Sequence, residues 1–252
     1  MAACLLAAMA QAAAQEIPLS ERRSGYEQMG RETRAMQDDD ATNPATLWVL
    51  DGEAAWQRKG GAAELACAGC HGDAAQSMKG VAARHPAPDA KTGRLVNLEQ
   101  RINACRVVRQ QAKPLAYESR ELLAVTAYVA RQSRGIPIAV PVTPATQPSL
   151  DAGRALFNRK IGQIDLSCAQ CHDQNWGRHL AGNLIPQAHP TGYPIYRLEW
   201  QGLGSLQRRL RNCMSGMRAE AYAYGSAEFV ELEYYLMWRA RGMKVETPAV
   251  RP

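Results

Sequence analysis

Cys67-Ala68-Gly69-Cys70-His71 and Cys168-Ala169-Gln170-Cys171-His172 stand 101 residues apart in a chain of 252. In each pentad the two thiols, three positions apart, can form thioether bonds to the vinyl groups of a haem, and the adjacent His can reach the iron as proximal ligand. A single CxxC would also suit a zinc knuckle, a redox dithiol or a disulfide. Two copies, each followed at once by His and each carried on a longer repeat, point instead to two covalently bound haem c groups. Cys67, Cys70, Cys168 and Cys171 attach them, and His71 and His172 bind the irons.

The repeat extends on both sides of the pentads. At the same offset of 101, Gly52 pairs with Gly153, Trp56 with Phe157, Lys59 with Lys160, Gly61 with Gly162 and Leu65 with Leu166. At 108, the run from Leu98 to Cys105 lies over Leu206 to Cys213, with Asn97 and Ser205 placed as helix N-caps. At 107, Glu121 to Gly135 lies over Glu228 to Gly242, pairing Ser119 with Ser226 and Tyr128 with Tyr235. Each copy therefore reads as helix, pentad, long loop, short helix ending in Cys, and a final amphipathic helix closed by Gly. That order is similar to the cytochrome c fold, so the expected architecture is all-α, with two tandem cytochrome c domains at 51–135 and 151–252. Pro137, Pro141, Pro144 and Pro148 make 136–150 an extended, semi-rigid linker. Residues 15–50, with Asp38-Asp39-Asp40 and Asn43-Pro44, read as an irregular N-terminal extension over the first domain or a partner.

Residues 1–14 form a short apolar run ending in an Ala-x-Ala site, the pattern of a signal peptide whose basic front is missing. The run is far shorter than the roughly 20 residues of a membrane span, so no anchor is expected. Haem attachment takes place outside the cytoplasmic membrane, and both signals agree on a bacterial periplasm. The formal charge of +6 could suggest nucleic acid, but that location favours an anionic small substrate or an acidic protein partner. Cys4 leaves with the leader, four cysteines hold haems, and Cys105 and Cys213 remain.

Those two decide the second axial ligands. Domain one offers no Met between Met78, seven residues past His71, and Met214, so its candidates are His85 and Cys105. Cys105 and Cys213 hold equivalent repeat positions, and a disulfide between them would need Cα atoms roughly 4.4 to 6.8 Å apart across two haems. Thiolate ligation by Cys105 and Cys213 is the reading adopted, with Met214 and Met217 competing in domain two. Arg197, Arg208, Arg209, Arg211 and Arg218 surround Cys213 and suit capture of a sulfur-containing dianion.

Arg197-Leu-Glu-Trp200 followed by Leu203-Gly-Ser-Leu-Gln-Arg-Arg209-Leu-Arg-Asn-Cys213 resembles the SoxA family, haem subunits of the SoxAX complexes of bacterial thiosulfate oxidation. Ser24-Gly25-Tyr26, Leu47-Trp-Val-Leu-Asp-Gly52 and Tyr234-Tyr-Leu-Met-Trp-Arg239 extend the likeness over nearly the whole chain, in its dihaem form. The resemblance implies an L-cysteine S-thiosulfotransferase that joins thiosulfate oxidatively to a cysteine of the SoxY subunit of SoxYZ. It also implies a SoxX-type monohaem subunit, an acceptor cytochrome c, and a catalytic set of Cys213, Arg209 and Arg218. Where the family can carry Lys before Trp200, this chain has Glu199. A tetrathionate-forming dihaem thiosulfate dehydrogenase and a plain electron-transfer cytochrome are the alternative readings.

Overall fold

Two glycines, Gly52 and Gly153, let the first and last helices of each repeat come into backbone contact. The structure, a computed structural model, describes residues 16–180 and 182–252; the expected signal peptide at 1–14 lies outside them. The helices in chain order are α1 Arg31–Asp38, α2 Thr46–Gln57, α3 Cys67–His71, α4 Ala74–Ser77, α5 Leu98–Cys105, α6 Arg120–Arg131, α7 Gln147–Asn158, α8 Cys168–His172, α9 Leu206–Gly216 and α10 Ala227–Arg239. A Cβ on Gly52 of α2 would strike the Ala124 carbonyl and approach Tyr128 Cβ to 2.7 Å, and one on Gly153 of α7 would strike Glu231 and approach Tyr235 Cβ to 2.8 Å. The pairs α2 with α6 and α7 with α10 thus cross at their small residues. Trp56 meets Tyr128 at 5.9 Å between ring centroids and Phe157 meets Tyr235 at 5.4 Å on one side of each crossing.

The expected caps are in place. Asn97 Oδ1 accepts from Gln100 N at 2.9 Å and Ser205 Oγ from Arg208 N at 3.1 Å, opening α5 and α9. Ser119 and Ser226 cap α6 and α10 in the same way. Such caps satisfy amide donors that the first turn leaves without partners. The last helices differ from the amphipathic expectation. Every residue of α6 from Leu122 to Ala130 is buried, because the extension covers its outer face and the second repeat packs on its far side.

The extension spans both repeats. Asp40 receives Arg131 at 2.6 Å and Arg134 at 2.8 Å from the end of the first repeat, while Arg23 N donates to the Gln187 side chain of the second at 2.6 Å. α1 lies beside a three-stranded sheet that the periodicity did not announce. There Ile195–Arg197 pairs antiparallel with Gly202–Gly204 and parallel with the C-terminal Ala249–Arg251. In the Pro-rich segment Ile138 is fully buried and its amide donates to Met243 O at 2.8 Å. Pro148 falls in the first turn of α7, where its missing N–H leaves no bond unmade.

Candidate haem cavities and active site

Each pentad forms a one-and-a-half-turn helix; the first lines its cavity with both thiols and the histidine, with α5 beside it, and the second reaches its cavity through His172, with α9 beside it. The first cavity, about 470 Å³, takes Cys67, Cys70 and His71 from α3 and Cys105 from α5. Leu98, Ile102, Val125, Val129 and Met78 make its lining apolar. The second, about 290 Å³, takes His172 from α8 and Arg209, Leu210 and Cys213 from α9. The six described cysteines are all free thiols, so Cys105 and Cys213, set in separate cavities, form no disulfide.

The residues fit a haem at both places on the donors' own chemistry. His172 Nδ1 bonds the Pro186 carbonyl at 2.6 Å, which turns Nε2 toward the cavity as the free lone pair a metal needs. Burial holds its pKa below the ordinary imidazole value, keeping it neutral. Phe157 backs this ring at 6.5 Å, and Trp56 backs His71 at 5.7 Å in the first repeat. Burial pushes the Cys168 thiol up to about 12, with Cys213 facing it as the next cause. Burial also raises Cys67, whose near neighbours include Cys105. Each spare cysteine therefore lies near thiols of its own pentad, Cys105 near Cys67 and Cys213 near Cys168 and Cys171.

His85 lines the first cavity as well, with Nδ1 held by Val81 O at 2.9 Å. Met214 and Met217 are buried, 5 % and 8 % exposed, in a cluster with Phe229 and do not line the second cavity. His189 lines it with Nδ1 on the Arg23 carbonyl at 3.0 Å, whereas His179 is exposed on a hairpin.

Of the five arginines expected around Cys213, Arg197 and Arg209 reach the cavity. Arg209 precedes Cys213 by four residues and shares its helix face, while Arg208 and Arg211 turn to the other side. Arg208 lies over Trp200 at 4.4 Å, and Arg211 over Tyr224 at 4.8 Å. Arg218, expected in the catalytic set, is exposed beyond the end of α9 and lines no part of the cavity. The chain turns through a positive φ of 53° there, carrying the side chain outward. Arg239 pairs with Asp173 at 2.6 Å behind His172.

Two cations that sequence reasoning missed, Arg23 and Arg251, complete the lining. They sit near the two ends of the chain, outside the repeat, where no periodic signal could flag them. Gly25, Gln28 and Met29 from the extension and Pro252 from the tail wall the same cavity. Arg197 holds Glu199 at 2.8 Å and Arg251 holds Glu246. Arg209 makes no ion pair among the described residues; burial opposes its charge, but Cys213 and Tyr193 beside it raise its pKa.

The model of the SoxA/TsdA cytochrome c domain matches residues 51–138 and again 152–245. The chain belongs to this SoxA/TsdA family. It is 37% identical over 235 residues to the L-cysteine S-thiosulfotransferase subunit SoxA of Pseudaminobacter salicylatoxidans, covering 93% of this chain and 82% of that one. The subunit of the same description from Rhodovulum sulfidophilum is 36% identical, at 92% and 80% coverage. The crystal structure of SoxXA from P. pantotrophus matches with a TM-score of 0.88 at 32% identity, covering 92% of this chain and 87% of that chain. The two repeats are accordingly two cytochrome c domains, as expected, and haem c is their cofactor. No helix among the described residues is long and apolar enough to cross a membrane.

Proposed function

We propose that the chain is the SoxA subunit of an L-cysteine S-thiosulfotransferase, acting in the periplasm on thiosulfate and a cysteine of a SoxYZ carrier. A SoxX-type monohaem subunit completes the enzyme, and an acceptor cytochrome c takes the electrons away. Two haem c groups are held covalently, one by Cys67 and Cys70 with His71 and Cys105 on the iron, the other by Cys168 and Cys171 with His172 and Cys213. When bound, these haems supply one-electron acceptors for the two electrons the reaction releases.

The observation that carries the reading is the placement of Cys213 and Arg209 on one helix face, in a cavity walled by Arg197, Arg251 and residues of the N-terminal extension. The arginines draw in a dianion by their field and hold its oxygens in planar fork geometry. Tyr193, half-buried beside Arg209, offers a hydroxyl that its surroundings keep protonated. Cys213 then presents sulfur to sulfur. In the net reaction the carrier thiol loses its proton, an S–S bond forms to the outer sulfur of thiosulfate, and two electrons leave. The family relatives named for this activity, and the burial of Met214 and Met217 away from the second cavity, support this reading over an electron-transfer cytochrome. Both thiols also support it over a tetrathionate-forming dehydrogenase.

The test is Cys213→Met in a reconstituted assay with SoxX-type and SoxYZ proteins, alongside low-temperature EPR of the oxidised wild type. Loss of conjugation and two low-spin thiolate-type ferric signals are expected. Full turnover by the variant, or a His/Met signal from either haem, overturns the proposal.

A further inference from the structure

Between the two haem cavities lies a third, of about 60 Å³. It shares His85 and Leu98 with the first cavity and Pro190, Tyr193 and Leu206 with the second. Two carboxyls line it, Glu99 from α5 of the first domain and Glu233 from α10 of the second. Glu233 is 6 % exposed, and its two oxygens meet Asn97 Nδ2 at 3.4 and 3.3 Å. Thr126 Oγ1 is buried nearby without a partner, and the Gln207 side chain lies beside Glu233. A chamber of this size, with two carboxyls on a mostly apolar wall, has room for water, which needs about 10–15 Å³ on this measure.

The chamber sits where repeat-equivalent residues meet. Gln207 occupies the position of Glu99 and Thr126 that of Glu233, and Tyr117 stacks on its equivalent Tyr224 at 5.7 Å and 13°. Each carboxyl thus replaces a neutral side chain of the other repeat. Among the described residues neither Glu99 nor Glu233 pairs with a Lys or Arg; Arg208, the cation that α9 brings to this interface, faces Glu118 at 3.9 Å. The other titratable groups here are His85, Tyr117, Tyr193 and Glu118. His85 is held neutral by burial, and burial likewise keeps Tyr117 protonated, its hydroxyl donating to Asn97 Oδ1 at 3.2 Å. Two carboxylates lining one chamber, Glu233 buried and Glu99 half-buried, with no cation between them oppose each other's charge, and their titrations are coupled.

We propose that Glu99 and Glu233 form a proton-sharing carboxyl pair, a proton site between the two haem cavities that loads when an electron enters and empties when it leaves. Added negative charge in a low-dielectric interior stabilises a proton nearby. The proton comes from solvent water and forms an O–H bond on one carboxylate oxygen, so one electron and one proton arrive and depart together. The electrons are those of sulfur oxidation, and no further reactant is needed. Burial, with the neighbouring Glu118 charge adding to it, lifts Glu99 to about 7, and burial with Glu99 lifts Glu233 well above the ordinary carboxylate range. The pair is therefore poised to exchange a proton near neutral pH.

The test is spectroelectrochemical titration of both haems in the full haem-loaded chain across neutral pH, for the wild type and for Glu99→Gln, Glu233→Gln and the double variant. In the wild type at least one reduction potential falls with rising pH, approaching about 59 mV per unit where one proton follows one electron. In the double variant that slope is lost while both haems keep their ligand spectra. Equal slopes in wild type and double variant overturn the proposal. If Glu233→Gln does not fold, redox-difference infrared spectra of the wild type decide: a carboxyl C=O band that changes on reduction and disappears in Glu99→Gln is expected, and its absence overturns the proposal. Neither readout depends on turnover, so this result and that of the sulfur-transfer assay are separate.

Discussion

Arg101 and Arg209 hold the same repeat position, four residues before Cys105 and Cys213, yet they are not equivalent cations. Arg101 is paired with Asp89 at 3.0 Å, while Arg209 lies by Cys213 and makes no ion pair among the described residues. Charge-assisted hydrogen bonds contribute about 1.5–3 kcal/mol. Arg209→Ala is therefore expected to lower kcat/KM for thiosulfate by roughly 10- to 150-fold, with Arg209→Lys recovering part of it because a point charge cannot reproduce the fork. Arg218→Ala, outside the cavity, is expected to leave steady-state kinetics unchanged. At this scale the sequence was legible where chemistry is local: the pentads, and the i, i+4 placement of Arg209 on the face of Cys213. It was not legible for Arg208, Arg211 and Arg218, whose density in the chain says nothing about which way each side chain turns.

At the scale of elements, the repeat encodes helix crossings as well as haem attachment. Gly153 is where α7 meets α10, and an added methyl there must displace the backbone of Glu231. Overpacking of this kind costs about 1–3 kcal/mol, so Gly153→Ala is expected to lower Tm by several degrees in a thermal scan of the haem-loaded protein. Gly216→Ala, whose Cβ meets nothing within 4 Å, is expected not to. The caps Asn97, Ser119, Ser205 and Ser226 were readable because capping depends on a residue and its own first turn. The continuous burial of α6 was not readable, since its sequence still alternates Thr126 and Tyr128 with aliphatic residues. Only the covering elements make both faces interior.

For the molecule as a whole, the interface between domains holds the titratable pair, and this sets a pH dependence of stability. Glu99 and Glu233 have folded pKa values raised above the ordinary carboxylate value. Between the unfolded and folded pKa the native state binds more protons than the unfolded chain, so stability falls as pH rises through that window. Chemical denaturation followed from pH 4.5 to 8 is expected to show a declining midpoint, and Glu99→Gln/Glu233→Gln is expected to flatten the decline. The sequence by itself determined the covalent haem chemistry, the duplication and its helices, and the two spare cysteines at matching positions, because each rests on spacing along a few turns of chain. The tertiary structure alone decided that Arg197 and Arg251 join Arg209 in the cavity of Cys213 and Arg218 does not, that the N-terminal extension and the C-terminal tail wall that cavity, and that a carboxyl from each domain shares one chamber. Those features join residues as far apart as Asn97 and Glu233, 136 positions along the chain, and no local pattern carries the rotation of one helix or the docking of one domain on another.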